Sequence, residues 1–198
     1  MKIDDIKTPE QLLACVKSAG HVVFDGPEKW DMNIIGVRRQ GGSTNTFNDK
    51  LFLVARNASN VLQMWSWDIT TDPGTFWLES PGNKMGTACL ALGQYRGAYR
   101  YGLHKGKPAL VQVKNVKVYR DNDKSKTHDM DPNTITEGVY GINIHRAGSD
   151  SKNVDSWSAG CQVFKRDRDF TEFLSLCQLQ SKTHPGWDLY TYTLLIEN

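Results

Sequence analysis

The sequence predicts a mainly β domain with short helices, in which strands alternate with tight turns. Three observations carry this reading: the apolar residues fall in short runs, the runs are rich in Val, Ile, Leu and aromatics, and glycine or proline interrupts them at close intervals. The chain of 198 residues is 39% hydrophobic and 23% charged, a balance that suits a globular protein and excludes collagen-like, coiled-coil and wholly disordered classes. One domain over residues 1–198 is enough at this length.

Taken in order, Thr8-Pro9-Glu10-Gln11 offers an N-cap, a proline at the first helical position and a capping-box glutamine. With Leu12, Leu13 and Val16 on one face and Gly20 as a stop, it predicts an amphipathic helix over about residues 9–19. Strands are expected at 34–37, 51–55, 61–67, 76–78 and 109–119, the last with a change of apolar phase near Asn115 that fits a bulge or turn. Thr71-Asp72-Pro73-Gly74 and Ser80-Pro81-Gly82-Asn83 read as turns between strands. Residues 120–136, with Asp121, Asp123, His128, Asp129 and Asp131, read as a solvent-facing excursion. Phe170, Phe173, Leu174 and Cys177 mark a helical face, and 189–196 a terminal strand.

Twenty-four Lys and Arg against 22 Asp and Glu leave a formal charge of +2, which argues against a nucleic-acid partner drawn by net charge. No apolar run approaches the ~18 residues of a membrane span, so stable membrane insertion is not expected. The N-terminus lacks a basic segment leading into an apolar one, so synthesis in a cytosol is expected. Cys15, Cys89, Cys161 and Cys177 have no short paired spacing and read as free thiols, with all but Cys161 serving packing. The five histidines form no HExxH pattern. Neither a metal nor a cofactor is assigned.

The sharpest feature joins Tyr140-Gly141-Ile142-Asn143-Ile144-His145-Arg146 to Ser158-Ala159-Gly160-Cys161-Gln162-Val163 across a polar loop. A histidine at a strand end can act as base for a cysteine that the loop brings back to it, and the thiolate can attack a carbonyl to form a thioester. Gly160 permits a tight approach, and amides near Gly160 and Cys161 are candidates for an oxyanion hole. Arg146 is a candidate for binding a substrate carboxylate, and Ser158, His104 and Gln94 for supporting or contacting substrate. Trp65, Trp67 and Trp77 read as core or cleft-wall residues.

His145 with Ser158-Ala159-Gly160-Cys161 resembles the active-site signature of the L,D-transpeptidase catalytic-domain family, in which an upstream histidine precedes a Ser/Thr-His-Gly-Cys block. Thr71-Asp72-Pro73-Gly74-Thr75-Phe76 resembles the family's Thr-Pro-x-Gly-x-Phe segment in altered form, extending the likeness over about residues 60–165. The resemblance implies a β-sandwich or barrel catalytic domain, Cys161 as nucleophile, His145 as base, Gly160 before the nucleophile, and peptidoglycan stem peptides as substrates. Ala159 stands in place of the block's histidine, and Val163 where an arginine often follows.

The whole chain also looks like small proteins of tailed bacteriophages. Together these likenesses imply a phage-encoded cysteine peptidase, carboxypeptidase or transpeptidase-like enzyme of the endolysin kind. It would be made in the bacterial host cytoplasm and act at the cell wall after release or as a virion component. The alternative is a noncatalytic cell-wall-binding or virion structural protein, which Ala159 and Val163 keep open. No oligomeric state is assigned.

Overall fold

A computed structural model describes residues 2–197, and 36% strand against 21% helix makes the chain mainly β. Eleven strands are present among the described residues: β1 (Asn33–Arg38), β2 (Asp49–Arg56), β3 (Leu62–Thr70), β4 (Thr87–Leu90), β5 (Gly93–His104), β6 (Lys107–Gln112), β7 (Val116–Asp121), β8 (Thr136–Gly138), β9 (Ile144–Arg146), β10 (Gln162–Phe164) and β11 (Leu189–Ile196). Eight close into a barrel in the order β1-β11-β5-β6-β9-β10-β3-β2, and β4-β7-β8 form a separate sheet. The helices are α1 (Pro9–Ser18), α2 (Thr75–Glu79) and α3 (Asp167–Thr183).

Thr8 and Gln11 form the reciprocal cap at the start of α1, each side chain accepting from the other's backbone amide. The helix lays Leu12, Leu13 and Val16 against Ile35, Val37, Phe52 and Val54 on the outside of the barrel. Ile34, Leu51 and Leu53 point inward to the main core, where α3 adds Phe170, Phe173, Leu174 and Cys177. Strands β1 and β2 are therefore apolar on both faces, and continuous runs replace alternation there. Gly36 interrupts β1 because a Cβ would collide with the Tyr192 ring. That ring's hydroxyl donates to Gln162 Oε1 at 2.8 Å, tying the barrel interior to the strand that follows Cys161.

Two expected strands resolve differently. Residues 76–78 lie in α2, where Trp77 and Leu78 amides donate to the Gly74 carbonyl; an apolar run of that length carries no period to separate helix from strand. The run 109–119 is two strands in two sheets, β6 and β7, with the corner at 113–115, where the phase change falls. Strand β5 is absent from the expected set because Gly93, Gly97 and Gly102 break its apolar pattern, yet it pairs with both β6 and β11.

Arg38 ends β1 fully buried. Its Nε donates to Thr71 Oγ1 and pairs with Asp72 Oδ1 at 2.8 Å, and its Nη2 donates to the Thr71 and Leu90 carbonyls. Asp49 accepts from the Arg39 amide and from the Thr71 amide and hydroxyl. Burial and the neighbouring Asp72 charge push the Asp49 carboxyl up to about 6. Replacing Arg38 by Met should leave these carboxylates without a counter-charge. We expect a loss of about 3–5 kcal/mol in urea unfolding, the range for breaking a buried pair from one side. A loss below about 1 kcal/mol would mean that the cluster is compensated elsewhere.

Candidate active site

Strands β9 and β10 run parallel, with Ile144 opposite Gln162 and His145 opposite Val163. This register sets Asn143 opposite Cys161, so Cys161 and His145 project from the same face of adjacent strands. Both line one cleft of about 520 Å³, walled by Trp77 and Trp157 and carrying His104, Lys105 and Arg120. Each has 8% of its surface exposed.

The thiol is held by backbone. Cys161 Sγ donates to the Gly141 carbonyl and accepts from the Asn143 amide, both at 3.4 Å. Phe47, Ala147, Val154 and Val163 pack around it as a small apolar cluster. That burial pushes the thiol up to about 11, against lowering by the Asn143 hydrogen bond and by Lys105. Gly160 lies in the left-handed region at φ +115°, and a Cβ there would collide with the Ala88 carbonyl oxygen. Only glycine fits at this position. Its amide donates to Ser158 Oγ, whereas the Cys161 amide has no acceptor among the described residues and remains a free donor beside the sulfur.

The tautomers of the two histidines follow from their partners. His145 Nδ1 lies 2.9 Å from the Arg146 carbonyl, which can only accept, so Nδ1 carries the proton and Nε2 is bare. Nε2 is buried with no hydrogen-bond partner, the state of an available base. The Gln112 amide donates to Asn143 Oδ1 at 2.9 Å, so Asn143 Nδ2 must be the donor in its 2.9 Å bond with His104 Nδ1. His104 is therefore protonated on Nε2 when neutral. Its ring stacks on His145 with centroids 4.7 Å apart. Burial lowers His145 to about 4, and the nearby His104, Lys105 and Arg146 charges act in the same direction against the Arg146 carbonyl bond. His104 is also lowered, by burial and then by Lys105. At neutral pH the pair is thiol and imidazole, not thiolate and imidazolium.

Of the residues singled out in the sequence, Cys161, His145, Gly160 and His104 come together here. Ser158 is fully buried and faces away from the cleft. Its hydroxyl donates to the Cys161 carbonyl at 2.8 Å and accepts from the Gly160 amide, so it shapes the loop from beneath and does not line the cleft. Arg146 lines a smaller neighbouring cleft of about 220 Å³ and pairs with Asp167 at 2.9 Å. Gln94 is remote: it clamps the Val22 backbone and Thr193, and corrects the expectation of a substrate contact. Trp67 is core, its Nε1 donating to Glu172, while Trp77 is the cleft wall. Within the expected excursion Arg120 is buried, its guanidinium over the Tyr140 ring at 4.4 Å, and it lines the cleft.

The chain matches no family model, no curated protein and no solved structure. Geometry alone therefore carries the chemistry.

Gln112 and Asn143 are positioning residues that sequence reading missed. Gln112 Oε1 accepts from the Tyr140 and Ile142 amides, and its Nε2 donates to the Lys114 and Gly138 carbonyls. Three of these four bonds go into the segment that presents Gly141 and Asn143 to the thiol, and the fourth holds the β6–β7 corner. Nothing in its surroundings, Val111-Gln112-Val113, distinguishes it from an exposed strand residue. Gln112→Leu should strand two buried amides and two carbonyls. We expect a loss of about 2 kcal/mol or more in denaturant unfolding, from a cost of about 1–3 kcal/mol for each unsatisfied group with partial relaxation.

Nitrogen-resolved histidine NMR checks the tautomers. His145 should remain the neutral Nδ1–H form from pH 7 down to about 4, and His104 should show Nε2–H. The folded-state value lies below the ordinary 6.5, so the unfolded chain binds this proton first as pH falls. The stability that neutral His145 contributes is complete above about 6.5 and is lost as pH falls toward 4. A His145 that titrates near 6.5, or carries its proton on Nε2, contradicts the assignment.

Proposed function

We propose that this protein is a peptidoglycan-active cysteine enzyme that acts on stem peptides through a Cys161 thioester, in the manner of a phage-encoded L,D-peptidase or carboxypeptidase. The observation that carries the reading is the bare, buried Nε2 of His145 on the same strand face as Cys161, in one cleft. The sequence likeness at Ser158-Ala159-Gly160-Cys161 supplies the substrate class.

The neutral pair favours general-base attack. As Cys161 Sγ bonds to the acyl carbon, its proton leaves the Gly141 carbonyl and passes to His145 Nε2. The Cys161 amide donates to the oxyanion. Collapse breaks the carbon–nitrogen bond, and His145 returns the proton to the departing amine. Water, or a second amine, then attacks the thioester with His145 again as base, and collapse breaks the carbon–sulfur bond as His145 returns the proton to Cys161. Lys105 and Arg120 give the cleft the positive charge that suits an anionic stem peptide.

One observation favours the noncatalytic wall-binding or virion reading: the thiol is largely buried and engaged with a backbone carbonyl.

Purified protein incubated with muropeptides separates the two. Catalysis predicts cleavage or exchange with an acyl mass on Cys161. That adduct should be absent in Cys161→Ala, and activity should fall about 10²–10⁴-fold in His145→Ala. Equal peptidoglycan pull-down by wild type and Cys161→Ala, with no turnover by either, would establish the binding protein instead.

A further inference from the structure

A second cluster of reactive side chains lies beneath the cleft, where Asp72 in the turn after β3, Cys89 in β4 and His128 in the excursion converge. Their ligand atoms all lie within 4.8 Å of one another. Cys89 Sγ is 3.9 Å and His128 Nε2 3.6 Å from Asp72 Oδ1, spacings close to those between ligands that share one tetrahedral ion. His128, expected in a solvated loop, is instead turned inward with 11% of its side chain exposed, and Nδ1 is buried without a partner. Nε2, the nitrogen that faces Cys89 and Asp72, makes no hydrogen bond within 3.5 Å among the described residues and is therefore free to take a ligand.

We propose that Asp72, Cys89 and His128 form a binding site for a thiophilic divalent cation of the zinc class, independent of the Cys161 chemistry. The donor set of one sulfur, one imidazole nitrogen and one carboxylate suits zinc and disfavours magnesium or calcium. Charge balance supports it. Arg38 is the one guanidinium among three carboxyl groups that act on the Cys89 thiol, those of Asp72, Asp49 and Asp121. A divalent cation that bonds to Cys89 sulfur and releases its proton to solvent adds one net positive charge to this acidic surrounding. Arg38 then serves the carboxylate from the protein side, as outer hydrogen-bond partners orient metal-ligating groups. The role is structural. The ion would join the excursion to the 71–74 turn, whose Gly74 amide donates to the Ser158 carbonyl in the nucleophile loop at 2.9 Å.

Cobalt titration of the full chain tests this, because thiolate-bound cobalt absorbs in the near ultraviolet. In the Cys161→Ala background one equivalent of cobalt should produce that band, and zinc should abolish it. The band should be lost in Cys161→Ala/Cys89→Ser and in Cys161→Ala/His128→Gln. Zinc should also raise the melting temperature of wild type and leave that of His128→Gln unchanged. Circular dichroism confirms that each variant is folded. If Cys89→Ser does not fold, the His128→Gln comparison decides, since that side chain comes from a loop. No band at a tenfold excess of cobalt over Cys161→Ala, or a band that survives folded Cys89→Ser or His128→Gln, would overturn the proposal.

Discussion

The parallel register between β9 and β10 is the constraint on which the site depends. Side chains alternate across a strand, so a slip of one residue would turn Cys161 to the face opposite His145. Several independent contacts fix the register. The Gln162 amide donates to the Asn143 carbonyl, and the Ala147 amide to the Phe164 carbonyl, both at 2.9 Å. On its other edge β10 pairs with β3, and Phe164 packs against Trp67, Phe170 and Phe173 with ring centroids 5.0–5.9 Å apart. A buried aromatic cluster thus anchors the chain three residues beyond Cys161.

Parallel neighbours need a crossover, and here the polar segment 147–161 supplies it. Such a segment is irregular, so its order must come from side chains and from other loops. Asn45, at φ +64°, provides much of it: its Oδ1 accepts from the Asp155 and Thr75 amides, its Nδ2 donates to Asp155, and its carbonyl accepts from Val154. Trp77 Nε1 donates to the Ser156 carbonyl, and the Gly74 amide to that of Ser158. The cleft wall and the loop that leads into Cys161 are therefore one hydrogen-bonded unit. The largely buried thiol in such a frame is held neutral by desolvation.

Much of this was legible in the sequence where the signal was local. The capping box of α1 lies within consecutive residues, and the apolar face of α3 repeats at helical spacing. The cysteine and histidine stood out because few residue types perform that chemistry. Where meaning depended on distant partners, the sequence was mute. The strand β5 is glycine-broken, and its pairing with β11 and β6 overrides its weak local pattern. Gln112 and Asn143 look like ordinary polar residues until the segment 138–143 folds over them. Cys89 read as packing, since its neighbours Ala88 and Leu90 are apolar, yet its sulfur faces Asp72.

The placement of the cations has the same cause. Arg146 follows His145 in sequence and so drew attention as a carboxylate anchor, and the two residues line the smaller cleft together, beside that of Cys161. Its guanidinium is directed to Asp167 at the start of α3 and to the Ala147 carbonyl. The cleft of Cys161 takes its charge from Lys105, at the β5–β6 turn, and Arg120, near the end of β7. These come from both sheets, the barrel and the separate β4-β7-β8 sheet. The positive charge of this cleft therefore depends on how the two sheets pack and not on a motif beside His145.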